Sequence, residues 1–526
     1  MAKAVQKAIP KKPETKNEII PYIEKYFWVV IPLFTVIYFL SSRYSQGFYQ
    51  DDEIAQFLNM IDFWKNPSLI LGNNPKPGYK IFMVLPALLG YEPVLFVNSL
   101  IAGLTVYFTY RLLKVYEVSY AFFGALLLAV QPLFFDLSFR SYSEIFTSLA
   151  VILFLISYKK EKYILSGLIL GYIFTIRQEI AILCLIVGVM FLFKKEYLAF
   201  IAVGIFPMLY DILGFLKTGS ITFVYDEIKA VSALKYQAQD ILHYFKVYIF
   251  IVGPVSFVLF FDGFFGFFAE SGKMKEYLKK YILFYLTFVT VFLVQIYTMW
   301  NSGPNPGNWR YLLHISPVCA FFATIGLNNL LNKKYKFLHY VICALLLIFT
   351  LAFLSYKSDG FKLLTEADYT KAIFIVILFG ITLFIKKENI QNISLIVVLL
   401  AAVYLAIDFT PKKLSPENLA VKSTAEYMNG GQYLARPVLT NNSLFMFYSD
   451  AYKKNPKNFN SINLINLGAS AKGTIIVWDN HYGYRPEWKS DVPLDTLQKN
   501  QTEYKLLNQF PSSDRRFSTF IFEKLN

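Results

Sequence analysis

Cysteine, histidine and charge are all scarce in this chain of 526 residues. Three cysteines, Cys184, Cys319 and Cys343, fall inside long apolar runs. An odd, dispersed set excludes a disulfide framework and any zinc site built from cysteine. The four histidines, His243, His314, His339 and His481, lie far apart without metal-ligand spacing, and His314 and His339 read as helix-end or packing residues. No metal and no other cofactor is expected. Charged residues make up 17 %, against roughly 25 % in a soluble domain. The formal net charge is nevertheless +15. Its lysines and arginines are split among many short segments rather than gathered into one stripe, which argues against nucleic acid as a partner.

What fills the chain instead is apolar: 56 % hydrophobic and 18 % aromatic residues, with a mean hydropathy of +0.43. A water-soluble fold of this length has no interior large enough for that much apolar surface. A helix needs roughly 17 to 25 apolar residues to cross about 30 Å of hydrocarbon, and about thirteen runs approach that length. They lie near 26–42, 93–112, 118–137, 142–157, 163–177, 179–194, 197–216, 245–267, 279–300, 311–331, 337–355, 371–386 and 390–408. The expected fold class is mainly α, a polytopic membrane protein with a small α/β domain at its C-terminus.

Basic residues decide the expected orientation. Lys3, Lys7, Lys11, Lys12 and Lys16 precede the first run. Arg111 with Lys114, Lys159 with Lys160, Lys194 with Lys195, the lysines of 273–280, Lys333 with Lys334, and Lys386 with Lys387 occupy every other loop after it. By the positive-inside rule the N-terminus is cytoplasmic, and an odd number of spans puts the C-terminal part outside an inner or plasma membrane. The domains are then a basic cytoplasmic segment 1–25, a transmembrane unit 26–408 with a first outer loop at 43–92, and an extracytoplasmic α/β domain 409–526. In that last part PVLTNN (437–442), GTIIVWD (473–479) and FSTFIFEKL (517–525) read as strands, and 416–429 and 493–501 as helices.

Chemistry is expected where charge interrupts the apolar pattern on the outer side. Directly after the first span stand Asp51, Asp52 and Glu53. Three adjacent acids repel one another and raise at least one pKa unless cations or a substrate donor answer them. Ile54, Phe57, Leu58 and Ile61 form one face of a following helix that would lie flat on the membrane interface. The acids alone are equally explained as the favoured start of that helix. Other outer loops supply Lys76 and Lys80 in NNPKPGYK (73–80), Arg140 with Tyr142 and Glu144, Arg177 with Glu179, and Trp300, Trp309 and Arg310 in the segment 299–314. Fixed guanidinium groups suit a phosphate or pyrophosphate head group. Each arginine alone is as well explained by a structural ion pair, Arg140 with Glu144 at helical spacing, Arg177 with Glu179 or Asp211. The segment 217–244 reads as an amphipathic helix or a loop able to close over substrate.

These motifs, in this order, resemble the GT-C superfamily of membrane glycosyltransferases, over roughly residues 26–331. Asp52-Glu53 is similar to the acidic motif of its first outer loop, and Lys76-Pro77 to the element that follows. Arg140, Ser143 and Glu144 resemble the protein O-mannosyltransferase branch, and GLILGYIFTIRQE (167–179) and Arg310-Tyr311-Leu312 are likewise similar. The chain departs from the dolichol-type mannosyltransferases in having Gln50-Asp51 where His-Pro precedes Asp-Glu. Thirteen spans with an outer C-terminal domain resemble the oligosaccharyltransferase catalytic subunit, and VWDNHYG (477–483) distantly its Trp-Trp-Asp-Tyr-Gly signature, with one Trp missing and Asn-His inserted. Trp478 and Asp479 read as the end of a core strand rather than as part of that signature.

The resemblance implies inverting transfer of a hexose, mannose-like, from a polyprenyl-phosphate donor to a hydroxyl on a lipid, protein or glycan acceptor. Asp52 is the expected base, oriented by Glu53 or Asp51. Arg140, Arg177, Arg310 and Lys76 would hold the leaving phosphate, with Tyr142, Glu144, Trp300 and Trp309 lining the substrate. A divalent cation on Asp51 and Asp52 is conceivable but unnecessary beside so many basic residues. Two other functions fit a polytopic chain. A transporter or flippase needs ionisable residues at mid-span and repeated halves, which are not evident. A polysaccharide polymerase or ligase shares the outer arginines without needing the acidic triplet.

Overall fold

Of the thirteen apolar runs, twelve are helical in the computed structural model, which describes residues 19–526 except 73–75, 234, 269–272, 333–340, 342–343, 346–347, 349–355, 359–362, 368, 384–389 and 487–488. The run 337–355 lies largely outside the described residues, as do His339 and Cys343. Among the described residues six helices are long and apolar enough to cross a membrane: Glu24–Tyr44, Tyr91–Val115, Tyr197–Thr218, Met274–Trp300, Trp309–Leu331 and Ile390–Asp408. A further pair, His243–Val252 and Pro254–Phe264, passes that test together but is bent by 115°. The chain is a multi-pass membrane protein whose remaining apolar helices are shorter or broken.

In chain order, α1 (Ile19–Tyr26) leads through one 3-10 turn into α2 (Val30–Tyr44), followed by α3 (Asp52–Asp62), α4 (Pro77–Leu88), α5 (Tyr91–Val115), α6 (Ala121–Ala129) and α7 (Pro132–Leu137). Then come α8 (Ser143–Lys159), α9 (Tyr163–Phe174), α10 (Ala181–Phe193), α11 (Tyr197–Thr218), α12 (Phe223–Ser232), α13 (His243–Val252), α14 (Pro254–Phe264), α15 (Met274–Trp300) and α16 (Ser316–Leu331). After the hairpin β1 (Tyr356–Ser358) and β2 (Leu363–Ala367), α17 (Thr370–Leu383) and α18 (Ile390–Asp408) complete the helical part. Helix α5 packs against α2 and α8, α8 against α9, α9 against α11, and α14 against α16.

The breaks between helices follow from local chemistry. Gln131 is extended and Pro132 opens α7, because proline has no N–H to continue α6. Gly253 takes φ 79° ahead of Pro254, which bends α13 away from α14. The run 311–331 begins as a 3-10 helix, Trp309–Ile315, that becomes α-helical only at Ser316.

The expected small α/β region is present at the C-terminal end of the chain. Its central sheet has the order β4-β3-β5-β9-β8, with β3 (Val438–Leu439), β4 (Phe459–Asn460), β5 (Ile475–Asp479), β8 (Tyr504–Pro511) and β9 (Ser518–Lys524), while β6 (Tyr484–Arg485) and β7 (Ser490–Asp491) pair apart from it. β3 runs parallel to β4 and β5, and β5 antiparallel to β9 in the register Ile475↔Glu523 to Asp479↔Thr519. All five residues of β5 are buried, which is why that strand reads as an unbroken apolar run rather than an alternating one. Ile476, Trp478, Phe520 and Phe522 pack on one face of the sheet. α19 (Pro416–Met428) covers the other, and α20 (Ser443–Tyr448), α21 (Asp450–Lys454), α22 (Leu464–Ala469) and α23 (Leu494–Lys499) lie among shorter turns. The strand β8 was not evident in the sequence, because its pattern of exposed residues hides an edge strand.

The helix after the acids forms as α3, with Ile54, Phe57 and Leu58 buried, but its apolar face does not lie on lipid. It is covered by α4 and, from the C-terminal part, by α20, where Phe447 meets Phe57 and Tyr91 edge-on. Burial against protein outweighs exposure to an interface here.

Candidate functional site

The charged residues singled out in the sequence sit where helices stop. Arg140 lies in the turn between α7 and α8, Arg177 in the link from α9 to α10, Arg310 in the 3-10 segment before α16, and Lys76 at the start of α4. Irregular backbone of this kind is tolerated at membrane depth only where protein or an aqueous cavity satisfies it. Two contacts draw these breaks together. Gly78 donates its N–H to the Thr175 carbonyl at 3.2 Å, and Tyr172 donates to the Gly78 carbonyl. A Cβ at position 78 would lie 2.1 Å from Thr175 Oγ1, so only glycine lets α4 approach the Arg177 turn this closely. Lys76 itself holds φ 53°, a left-handed conformation costing about 1–2 kcal/mol in a non-glycine residue.

Five of these groups then form one connected cluster. Arg310 Nη2 donates to Asp52 Oδ2, and Arg310 Nη1 stands 3.5 Å from Glu144 Oε1. Arg177 Nη1 donates to the same Glu144 oxygen at 2.9 Å. Its Nε and Nη2 both reach Glu179 Oε1, at 2.7 and 2.6 Å. The Arg310 guanidinium lies over the Tyr142 ring, 4.6 Å from its centroid, with Tyr311 at 5.3 Å. Tyr142 in turn donates to the Gln50 carbonyl at 3.1 Å. The guanidinium and both glutamates of the cluster are buried or nearly so, whereas the Asp52 side chain stays 45 % exposed. Asp52 is therefore the carboxylate of this cluster that is open to solvent.

Glu53, on the next residue, turns the opposite way and is fully buried. It accepts from the Tyr49 N–H at 3.0 Å and from Arg140 Nη1 at 3.4 Å. Arg140 also donates to Ser45 Oγ at 2.8 Å and to the Gly47 carbonyl. Burial lifts the Glu53 carboxyl to about 7 against the pull of Arg140 and the Tyr49 N–H. The expected Arg140–Glu144 pair does not form, because α8 starts only at Ser143 and Arg140 is not on it. The pair expected of Arg177 with Glu179 does form, while Asp211 instead accepts the N–H of Val224 at the start of α12.

A second network fixes the loop before Arg310. Gln295 donates to Glu179 at 3.2 Å, Asn305 donates to Gln295 Oε1 at 2.8 Å, and Tyr244 donates to Asn305 Oδ1 at 3.0 Å. Asn308 donates to Gln50 Oε1 at 2.9 Å, tying this loop to the acidic turn. Trp309 packs on Phe250 with its indole N–H buried and unpartnered. Trp300 is 53 % exposed at the end of α15 and joins none of these contacts.

The C-terminal unit also enters the site, through residues that sequence reasoning did not assign. Tyr482 donates its phenol proton to Asp51 Oδ2, its ring stacked on His481 with centroids 4.3 Å apart. His481 Nδ1 pairs with Glu417 at 2.8 Å. Asp479 Oδ1 accepts the N–H groups of His481 and Tyr482, which fixes the loop. Burial raises the Asp51 pKa, opposed by the Tyr482 hydrogen bond. Trp478 and Asp479 close a core strand, as one of the two sequence readings had it, and the contact to the acids comes from the residues just beyond. The linker at Lys412 crosses the same turn, its N–H on Ser45 Oγ and its carbonyl accepting from the Gly47 N–H. Among the described residues no group of three or more His, Cys, Asp or Glu could hold a metal ion.

No known protein family matches the sequence, and no curated protein matches it. Among solved structures, the crystal structure of ArnT from Cupriavidus metallidurans in the apo state is similar with a TM-score of 0.59. The likeness covers 96 % of this chain and 98 % of that one at 10 % sequence identity. The chain shares the fold of that structure. At so low an identity it is the path of the backbone that is shared, including the outlying C-terminal unit, rather than the side chains that line the site.

Proposed function

We propose that this protein is a GT-C-type glycosyltransferase that moves a sugar from a polyprenyl-phosphate-linked donor to an acceptor hydroxyl, with inversion and with Asp52 as the base. The carrying observation is a half-exposed carboxylate held by a buried arginine, Asp52 on Arg310, where four helix breaks converge. The acceptor oxygen attacks the anomeric carbon as its proton passes to Asp52, and the bond from that carbon to the phosphate oxygen breaks with its electron pair. Lys76 and Arg310 offset the negative charge that grows on the leaving phosphate. Arg177 is bound on both sides by Glu144 and Glu179, and Arg140 by Glu53. Their role in this reading is to hold the breaks in register rather than to grip the donor. Tyr142 shapes the wall beneath Arg310.

The sugar is a hexose of the mannose kind, and the acceptor a lipid, protein or glycan. The division into a cytoplasmic segment 1–25, a catalytic membrane unit 26–408 and an extracytoplasmic domain 409–526 belongs to the same reading, as does a cytoplasmic N-terminus in an inner or plasma membrane. The test is transfer of labelled sugar from polyprenyl-phosphate donors by the purified protein in lipid, with Asp52→Asn beside the wild type. Transfer by the wild type and its loss in the variant is the expected result. A folded wild type inert toward every such donor, or a variant with full turnover, overturns the assignment.

A further inference from the structure

Two cations in this site feel carboxylates without forming an ion pair with any among the described residues. Lys76 caps α4 and Lys80 lies one helical turn further on, its N–H donating to the Lys76 carbonyl at 3.2 Å. Side chains in helices lean toward the N-terminus, so Lys80 leans back toward Lys76. Lys80 is 1 % exposed and among the largest fully buried side chains of the chain. Among the described residues neither ammonium has a hydrogen-bond or ion-pair partner, whereas Arg140, Arg177 and Arg310 each have at least one carboxylate. The charges that act on Lys80 are those of Lys76, which repels it, and Asp52, which attracts it. Burial, with Lys76 adding to it, lowers the Lys80 ammonium to about 7, and enclosure lowers Lys76 to about 8 although Glu144 opposes it.

A lysine side chain buried without an ion pair is among the more expensive features a fold can carry, and a methionine of similar length would fill the space without that cost. A single phosphate is already served by Lys76 beside Arg310. The second lysine has no use there unless the ligand brings a second anion. Lysine recognises phosphate as a point charge rather than through a planar fork, which suits a flexible chain of two phosphates.

We propose that Lys76 and Lys80 form a two-cation cradle for a diphosphate, so that the donor is a sugar joined to its polyprenyl chain through two phosphates. This rests on the glycosyltransferase reading and specifies the head group of its donor. In the transfer the bond from the anomeric carbon to the terminal phosphate oxygen breaks, its electron pair stays on the diphosphate, and the acceptor's proton goes to Asp52. The leaving diphosphate gains one negative charge, which falls between the two lysines and Arg310.

The experiment measures direct binding of farnesyl phosphate, farnesyl diphosphate and inorganic pyrophosphate to the full-length protein in detergent, for the wild type and for Lys80→Met. The wild type should bind farnesyl diphosphate about tenfold more tightly than farnesyl phosphate. Lys80→Met should lose that preference while keeping its affinity for the monophosphate and a melting temperature no lower than the wild type. Equal affinity for the two lipids, or an equal loss for both in the variant, overturns the cradle. Pyrophosphate binding as tightly as farnesyl diphosphate assigns the lysines to a free anion and likewise overturns the lipid donor. If neither lipid binds to folded protein, the glycosyltransferase reading itself fails, a result distinct from failure of the diphosphate assignment.

Discussion

Arg310 is not free to receive a phosphate: one of its nitrogens is taken by Asp52 and another faces Glu144. Donor binding must therefore compete with Asp52, and Asp52→Asn should separate two effects that loss of folding would not. The pair lies between the exposed and buried limits, with Arg310 3 % and Asp52 45 % exposed. Exposed pairs contribute about 0.2–1 kcal/mol and disruption of buried ones costs about 3–5 kcal/mol. A figure of about 1–2 kcal/mol suits a pair open to water on one side. Freed from the carboxylate, Arg310 should bind a phosphate-linked lipid more tightly by about that amount, roughly five- to thirtyfold. Turnover should fall about 100- to 10,000-fold, the usual contribution of a positioned base. Thermal stability should change little, since the asparagine remains half in water. The assay is donor affinity by direct binding together with single-turnover transfer by the same preparation. Turnover within about tenfold of wild type, or weakened donor binding, would refute the reasoning, because the first removes the base and the second removes the competition.

Two further outcomes follow from the junction with the C-terminal unit. Tyr482→Phe removes a hydrogen bond to a largely buried Asp51 carboxylate, an interaction of about 1.5–3 kcal/mol. It should lower turnover about tenfold or more and make residues 409–526 more readily cut by protease, and unchanged values of both would show that the contact is idle. The His481–Glu417 pair raises the His481 pKa, chiefly through its hydrogen bond, with Asp51 adding to it and Arg485 opposing. A histidine raised on folding contributes stability that is complete below its unfolded value of about 6.5 and is lost as pH rises through the folded value. The protease resistance of the C-terminal unit should therefore decline across that window in the wild type and be flat in Glu417→Gln.

The membrane character was legible from residues alone because it depends on composition and run length, which no tertiary contact alters. The positions of the candidate charges were legible for a related reason. Arg140, Arg177, Arg310 and Lys76 interrupt apolar runs, and a polar break between helices can only lie at the end of a span or against a cavity. The partners were not legible. Spacing suggested Arg140 with Glu144, four residues on, but that rule needs both residues on one helix, and the helix starts at Ser143. Arg140 turned instead to Glu53, 87 residues earlier.

The same division runs through the rest of the chain. Ile54, Phe57 and Leu58 announce an amphipathic helix, yet periodicity cannot say whether lipid or protein covers its apolar face, and here protein does. The core strand at 475–479 announces itself by an unbroken apolar run. That the loop after it delivers Tyr482 to Asp51 across 431 residues depends on how two units dock. By itself the sequence determined a multi-span helical protein with acids and bases placed at helix ends, because hydropathy and helix-breaking are local properties. Only the tertiary structure decided which carboxylate stays within reach of water, which arginines are already neutralised and which lysines are left unpaired, because burial and pairing are properties of the assembled chain.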